Sequence, residues 1–115
     1  MLKPSNKQID NLTNRQLNAE ATIVVFRKYA DGSIIALFPA DAATVEGYHC
    51  MSYVHVGQHG AADYNLVVNQ SKPATPAEYA ALETELKLIG YNLEIRKKVQ
   101  YKIHRQRIDS VRAQQ

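Results

Sequence analysis

The sequence predicts an α+β fold: a small, mostly antiparallel sheet in β-β-β-α-β order, with one main helix packed on it and a basic C-terminal tail. Asp31-Gly32 stands between two runs of β-branched and aromatic residues, which is a strong β-hairpin signal because glycine accepts positive φ. Thr75, Pro76 and Glu78 form a capping-box pattern ahead of apolar residues at helical spacing. Three consecutive strands favour antiparallel pairing with the helix on the sheet.

The composition is that of one globular domain. The chain has 115 residues, 45% of them hydrophobic and 22% charged, close to the averages for folded domains. Cys50 is the only cysteine, so no intramolecular disulfide can form, whereas small secreted domains usually contain several. No run of residues approaches the length of a membrane-spanning helix, and the polar N-terminus lacks the apolar stretch of a signal peptide. We therefore expect a cytoplasmic protein without membrane contact.

Strand signals fill the first half of the chain. Thr22 to Tyr29 is dense in β-branched and aromatic residues, and Ser33 to Phe38 returns as its hairpin partner until Pro39, which cannot donate to the ladder. Tyr48 to Val56 is predicted as the third strand. Because its alternation leaves neither face wholly polar, we expect both sides of the sheet to be covered at least in part. Its two faces hold Tyr48, Cys50, Ser52, Val54 and Val56 on one side and His49, Met51, Tyr53 and His55 on the other.

Three further segments separate the third strand from the main helix. Gly57 to Asp63 is predicted as a glycine-flanked loop and Ser71 to Pro76 as a connector. Tyr64 to Gln70 is either a short strand or a helical turn, since periodicity does not separate these at such a length. The main helix covers Pro76 to Ile89 and is closed by Gly90. The residues expected to face the sheet are Tyr79, Leu82, Leu86 and Ile89.

The chain is expected to divide into three regions. Residues 1–21 form a polar N-terminal arm, residues 22–99 an α+β core domain and residues 100–115 a basic C-terminal tail. Alternating apolar residues predict a last strand over Asn92 to Val99, after which the tail is helical or frayed. A helical continuation is an open alternative, supported by the spacing of Val99, Ile103, Ile108 and Val111.

The densest cluster of potential metal ligands consists of His49, Cys50, His55, His59 and Asp63. His49 and Cys50 are neighbours on a strand and point to opposite faces, and no Cys-x-x-Cys pair is present. The i, i+4, i+8 spacing of His55, His59 and Asp63 would suit a helix, but two glycines interrupt it. No serine, cysteine or lysine stands in a recognisable nucleophile motif. We therefore expect no bound metal, no cofactor and no enzymatic activity.

Positive charge is concentrated at the C-terminal end. Residues 1–90 contain seven Lys/Arg and nine Asp/Glu, whereas residues 91–115 contain seven Lys/Arg and two Asp/Glu. Tyr91, Tyr101 and His104 are interleaved with these cations, and aromatic faces stack on bases while cations meet phosphates. The pattern favours a polyanion without sequence specificity, and a solvated polar face is the alternative. The cations in question are Arg96, Lys97, Lys98, Lys102, Arg105 and Arg107.

A set of short motifs is spread over about two thirds of the chain. The set consists of residues 24–29, Asp31-Gly32, and residues 35–39, 50–53, 55–64, 72–76 and 90–93. In this combination the motifs resemble those of small proteins encoded by bacteriophages and prophages, a family of unknown activity. The resemblance implies a phage gene expressed in the cytoplasm of a bacterial host cell, and it supplies no catalytic residues.

The leading hypothesis is a non-enzymatic phage accessory protein that binds a host protein or ribonucleoprotein, for example a host defence nuclease that it inhibits. The first alternative is direct nucleic-acid binding through the basic C-terminal segment, whereas the leading hypothesis allows only a weak nucleic-acid contact. The second is a small metal- or nucleotide-binding protein that uses His55, His59 and Asp63. The residues expected to contact a partner are Gln58, His59, Asp63, Tyr64, Arg96, Lys97, Lys98, Lys102, Arg105 and Arg107.

Overall fold

A six-stranded sheet with helices packed on it forms the core of the protein, for which a computed structural model describes residues 21–55 and 58–112. The strands are β1 (Thr22–Tyr29), β2 (Ile34–Ala42), β3 (Cys50–Val54), β4 (Gln58–Ala62), β5 (Ser71–Pro73) and β6 (Leu93–Ile95). The helices are α1 (Tyr64–Asn69), α2 (Pro76–Leu88) and α3 (Tyr101–Arg112). The arm predicted over residues 1–21 lies outside the described residues except for Ala21.

Strand β1 has partners along both of its edges. The order β4-β3-β2-β1-β5 is antiparallel throughout. On the edge that faces away from β2, the second half of β1 pairs with β5, with Tyr29 opposite Ser71. The first half pairs in parallel with β6, with Thr22 opposite Leu93. The predicted α+β class with a mostly antiparallel sheet is thus confirmed.

The predicted hairpin joins β1 to β2 through Asp31-Gly32. Gly32 has a φ of 91°, in the left-handed region that glycine adopts without a Cβ clash. The second strand does not end at Pro39 as predicted but continues to Ala42. Pairing with β3 shifts register after Phe38, and this irregularity accommodates a proline that has no N–H to donate.

The segment predicted as a glycine-flanked loop is largely a strand, apart from Gly57, which lies outside the described residues. β4 pairs antiparallel with β3, with Tyr53 opposite His59. Four of its five residues are exposed. Polar residues and a glycine are therefore tolerated in this strand, because few of its side chains have to pack in a core. The following segment adopts the helical alternative, α1, with Asp63 as its N-cap.

Helix α2 confirms the capping-box prediction. The Glu78 backbone N–H donates to the Thr75 hydroxyl, and the Thr75 backbone N–H donates to the Glu78 carboxylate at 2.9 Å. Leu82 and Leu86 are buried against the sheet as predicted. Ile89 is exposed instead, because the helix ends at Leu88 and Ile89 is its C-cap.

Apolar side chains pack on both faces of the sheet, as predicted from the alternation of residues in the third strand. On one face, α2 contributes to a cluster of Val24, Phe26, Ala36, Phe38, Tyr53, Leu82 and Leu86. On the other, α1 contributes to a cluster of Val25, Ile35, Leu37, Cys50, Ala62, Tyr64 and Val67. Helix α3 joins this second face, where the His104 ring contacts Tyr64.

The C-terminal half of the prediction needs two corrections. The last strand is limited to Leu93–Ile95, because only this stretch lies beside β1, and the segment that follows leaves the sheet. Residues 101–112 are helix α3, with Ile103 and Arg107 buried, so this part of the predicted tail belongs to the packed structure. The predicted main helix is present as α2, and two further helices, α1 and α3, accompany it among the described residues.

Candidate nucleic-acid interface

An open groove of about 630 Å³ lies between the end of β6 and the start of α3. Three of the cations predicted to contact a partner line it, namely Arg96, Lys98 and Lys102. We call it the basic groove. Its other lining residues are Ile23, Val99, Gln100, Ile103 and Gln106.

Strand pairing and helix packing bring the three cations together. The Arg96 backbone N–H donates to the Val24 carbonyl at 2.9 Å, which fixes the chain to β1 as far as this residue. Ile103 is buried and anchors the first turn of α3 to the rest of the protein. Lys98 lies in the connector between these fixed points and Lys102 lies next to Ile103, so both are held near Arg96.

The two lysines give the basic groove its available positive charge. Lys98 and Lys102 are exposed, and neither forms an ion pair with a described residue. Arg96 forms an ion pair with Glu94, to which its Nε donates at 2.7 Å. Exposed pairs of this kind are weak, so a phosphate can compete with Glu94 for the guanidinium.

The other predicted cations do not line the basic groove. Lys97 is exposed and lines a neighbouring cavity of about 270 Å³ together with Phe26 and Tyr79, and Arg96 lines both this cavity and the basic groove. Arg105 is exposed and lies 3.4 Å from the Asp109 carboxylate one turn along α3. Neither residue lines the groove that holds Lys98 and Lys102.

Arg107 is a structural residue, and its prediction as a partner contact was wrong. It is only 4% exposed. Its Nε donates to the Gly47 carbonyl at 2.7 Å, its Nη1 to the Pro39 carbonyl at 2.6 Å, and its Nη2 to the Tyr48 carbonyl at 3.4 Å. A buried guanidinium whose donors are used on backbone carbonyls does not offer those N–H groups to a partner.

A second groove, of about 450 Å³, adjoins the basic groove at Val99, which lines both. Tyr101 and Tyr48 line it and are 74% and 60% exposed. We call it the aromatic groove. Its other lining residues are Asp63, Tyr64, Asn65, His104, Arg107 and Ile108.

Two of the rings that line the aromatic groove are uncharged at neutral pH. Arg107 Nη1 lies 2.9 Å from His104 Nδ1, and because a guanidinium only donates, Nδ1 accepts and the ring proton is on Nε2. Burial, and then the nearby charge of Arg107, lower the pKa of His104 below its ordinary value of 6.5. Tyr64 contacts this ring edge-on at 4.6 Å between centroids, and burial raises the pKa of Tyr64.

The remaining predicted contacts are dispersed over two elements. Gln58 and His59 are exposed on β4, where His59 Nε2 lies 2.8 Å from the Tyr91 hydroxyl. Asp63 caps α1, because its carboxylate accepts the Leu66 backbone N–H at 3.1 Å, and it also lines the aromatic groove. The aromatic groove therefore brings two of the predicted contacts, Asp63 and Tyr64, next to Tyr101 and His104 of α3.

His55, His59 and Asp63 do not form a joint ligand set. His55 Nδ1 lies 2.8 Å from Glu85 Oε1, whereas the other two have separate partners on Tyr91 and α1. Within residues 21–55 and 58–112, no group of three or more His, Cys, Asp or Glu side chains is arranged to hold a metal ion. Burial raises the pKa of the Cys50 thiol to about 11, so it is a thiol and not a nucleophilic thiolate at neutral pH.

Sequence reasoning missed Tyr48, Gln100 and Gln106 as groove residues. The two glutamines are uncharged, so no charge pattern distinguishes them. Tyr48 was assigned to the third strand, but it precedes β3 and follows Gly47, whose φ is 81°. Gly47 is the signal that indicates a turn here and places Tyr48 before the strand.

In the described part of the chain, no helix is long and apolar enough to cross a membrane. No protein-family model, curated protein or solved structure matches the chain. Function is therefore inferred from the geometry and charge of the two grooves.

Proposed function

We propose that this chain is a non-enzymatic binding protein whose basic groove contacts the sugar–phosphate backbone of a nucleic acid, either free or within a ribonucleoprotein. The observation that carries the proposal is the convergence of Arg96, Lys98 and Lys102 on one open groove. None of the described residues that line this groove is acidic. Lysine and arginine contacts to phosphate supply most of the affinity in non-specific nucleic-acid binding.

The proposed binding is weak and independent of base sequence. With three phosphate contacts, the logarithm of the affinity for a single strand falls against the logarithm of salt with a slope of about −2. We expect a dissociation constant on the order of 10–100 µM at physiological salt, as for other non-specific contacts. Gln100 and Gln106 are the two amide side chains in the groove, too few to read a sequence.

Fluorescence anisotropy with a labelled oligonucleotide, over a salt series from about 50 to 200 mM, tests the proposal. The groove variant changes the three lining cations: Arg96→Gln, Lys98→Gln and Lys102→Gln. The control variant removes the same charge from exposed positions outside the groove: Lys72→Gln, Lys87→Gln and Arg112→Gln.

We expect the groove variant to lose about tenfold or more in affinity at low salt and to lose most of the salt dependence, because its phosphate contacts are gone. The control variant should stay within about twofold of the unmodified protein, since distant exposed charges are screened. Equal losses in both variants, or unchanged binding in the groove variant, would contradict the proposal. Nanomolar binding near 150 mM salt would contradict the weak, three-contact mode.

The exposed strand β4 supports a second candidate function, the binding of a host protein. β4 is the outermost of the described strands on its side of the sheet. It contains neither a charged residue nor a proline, which usually protect an edge from pairing with another chain. We propose that an extended segment of a host protein adds to this edge as a further strand, with Gln58 and His59 as contacts. The host-binding accessory protein of the leading hypothesis would act in this way.

The variant Ala61→Lys tests strand addition, because a lysine on an edge strand opposes pairing with another chain. The unmodified protein, Ala61→Lys and the groove variant serve side by side as bait in bacterial cells, and bound proteins are identified by mass spectrometry. A protein that binds the first and third baits but not the second supports strand addition. The same set of proteins on all three baits counts against it.

A further inference from the structure

We infer that the nucleic acid in the basic groove is single-stranded and that one of its bases stacks on Tyr101 in the aromatic groove. The inference rests on the proposed function and adds the conformation of the ligand. Tyr101 and Lys102 are consecutive residues at the start of α3, and each lines a different groove. Successive side chains on a helix are about 100° apart around its axis, which accounts for this division. A backbone bound to Lys102 therefore passes directly beside the Tyr101 ring.

The Tyr101 side chain is available to a ligand. Its ring is 74% exposed and forms no ring contact with a described residue. Other tyrosines do form such contacts, namely Tyr53, Tyr64, Tyr79 and Tyr91. Exposed aromatic rings beside a basic groove are the platform on which single-strand-binding proteins stack bases.

The charges of the aromatic groove favour a base over a phosphate. Asp63 places a carboxylate on the groove wall, which repels a phosphate. Arg107 also lines this groove, but its donors are used on backbone carbonyls and on His104, which leaves few N–H groups to bind a phosphate. The neutral ring of His104 and the amide of Asn65 complete a lining that suits an uncharged, planar group with polar edges.

A duplex cannot use both grooves at once, because its bases are stacked and paired inside the helix. In an unpaired strand, a base can turn away from its neighbours while its phosphate stays on the backbone. Adjoining sites for phosphate and base are therefore used together only by an unpaired strand. This predicts a preference for single-stranded over double-stranded ligands that net charge alone would not give.

The test compares three labelled ligands of equal length: a single-stranded oligonucleotide, the same strand with all bases removed, and a duplex. The abasic strand keeps the phosphates, so it separates backbone binding from stacking. Anisotropy is measured at about 50 mM salt, where backbone contacts are strongest. The proteins are the unmodified chain, Tyr101→Ala, Tyr101→Phe and the groove variant, with circular dichroism to confirm that each is folded.

We expect the unmodified protein to bind the intact strand about 5- to 100-fold more tightly than the abasic strand, the range that one stacked base contributes. Tyr101→Ala should remove this difference and leave abasic binding and the salt slope unchanged, whereas Tyr101→Phe should retain it. If the abasic strand binds as well as the intact one, or the duplex binds best, the inference fails while the proposed function stands. If none of the three ligands binds, the proposed function fails as well.

Discussion

Two arginines hold buried positive charges with backbone carbonyls as their acceptors. Arg107 donates to carbonyls within Pro39–Tyr48, and Arg27 donates to the carbonyls of Val68 and Ser71 at 2.9 and 2.7 Å. A buried guanidinium is stable when its donors are satisfied in this way. Each arginine also ties segments that are distant in sequence: Arg107 joins α3 to the turn before β3, and Arg27 joins β1 to α1 and β5.

Replacing Arg107 should destabilise the fold strongly. Arg107→Ala leaves buried carbonyls without donors, and we expect it to lower the free energy of unfolding by about 2–5 kcal/mol. The matched control is Arg105→Ala, which removes an exposed i,i+4 pair with Asp109 and should cost about 0.5 kcal/mol or less. Urea unfolding followed by circular dichroism measures both. Similar losses in the two variants would show that Arg107 has no special role.

Arg105 and Arg107 show what a charge count cannot predict. The two residues are separated by one position and contribute equally to the basic character of the tail. On a helix, however, Arg107 lies one turn after the buried Ile103, on the same face, whereas Arg105 points elsewhere. Choosing the helix over the frayed alternative for this segment would have placed Arg107 inside the protein.

At the scale of secondary-structure elements, α3 packs closely against the turn that joins β2 to β3. Gly47 in this turn has a φ of 81°, and a Cβ at this position would lie 2.8 Å from Val111 Cγ2 and 2.9 Å from Ile108 Cα. The second of these contacts is with helix backbone, which cannot move aside cheaply. Because Gly47 has no side chain, α3 can approach the turn closely enough for Arg107 to donate to the carbonyls of Gly47 and Pro39.

Gly47→Ala and Gly32→Ala separate the two costs of replacing a glycine. Both positions have positive φ, but nothing lies within 4 Å of a Cβ at Gly32. Gly32→Ala should cost about 1–2 kcal/mol from backbone strain alone. Gly47→Ala should cost about 1–3 kcal/mol more, because the added methyl group also displaces α3. Denaturant midpoints give the comparison, and equal costs would contradict the close packing of α3.

The elements that sequence predicts well are those defined by local chemistry. The Asp31-Gly32 hairpin and the Thr75 capping box depend on residues within a few positions of one another, and both are confirmed. β4 and β6 form because each pairs with another strand, β3 and β1 respectively. Such a partner is not visible in the local sequence of either segment. Alternation over Asn92 to Val99 indicated a strand, but β1 offers a partner only as far as Ile95.

For the molecule as a whole, the acceptor role of His104 links stability to pH. Its pKa is lowered in the folded protein, so below about pH 6.5 the unfolded chain takes up a proton that the folded chain resists. The contribution to stability is full above that pH and is lost progressively as pH falls towards the lowered pKa. Exposed His49 makes no comparable hydrogen bond with Arg107 and serves as the control position.

The unmodified protein should therefore be less stable at about pH 5.5 than at about pH 7.5. His104→Gln, which keeps an acceptor for Arg107 but does not titrate, should lose less stability over this interval. His49→Gln should lose as much as the unmodified protein. Thermal unfolding at the two pH values provides the measurement, and an unchanged pH dependence in His104→Gln would refute the link.

The sequence indicates which segment of the chain contains the candidate interface, but not which of its residues share a surface. Counting charges identified the cations between Arg96 and Arg107, but folding distributes them over a groove, a neighbouring cavity, an ion pair and the core. Tyr48 joins Tyr101 only because α3 returns to the turn before β3. Proximity of this kind depends on the tertiary fold, which local spacing does not encode.

The packing of α3 on the turn at Gly47 also bears on synthesis of the chain. Sixty residues separate Gly47 from Arg107, which binds its carbonyl. β1 and β2 are translated before either helix on this side, so the sheet face that holds Val25 and Leu37 is uncovered until α1 supplies Tyr64 and Val67, and it lacks α3 for longer still. Contacts between such distant segments form late, and exposed apolar strips on nascent chains are what chaperones recognise. The interval between translation of β2 and of α3 is thus the period in which this protein most needs protection from aggregation.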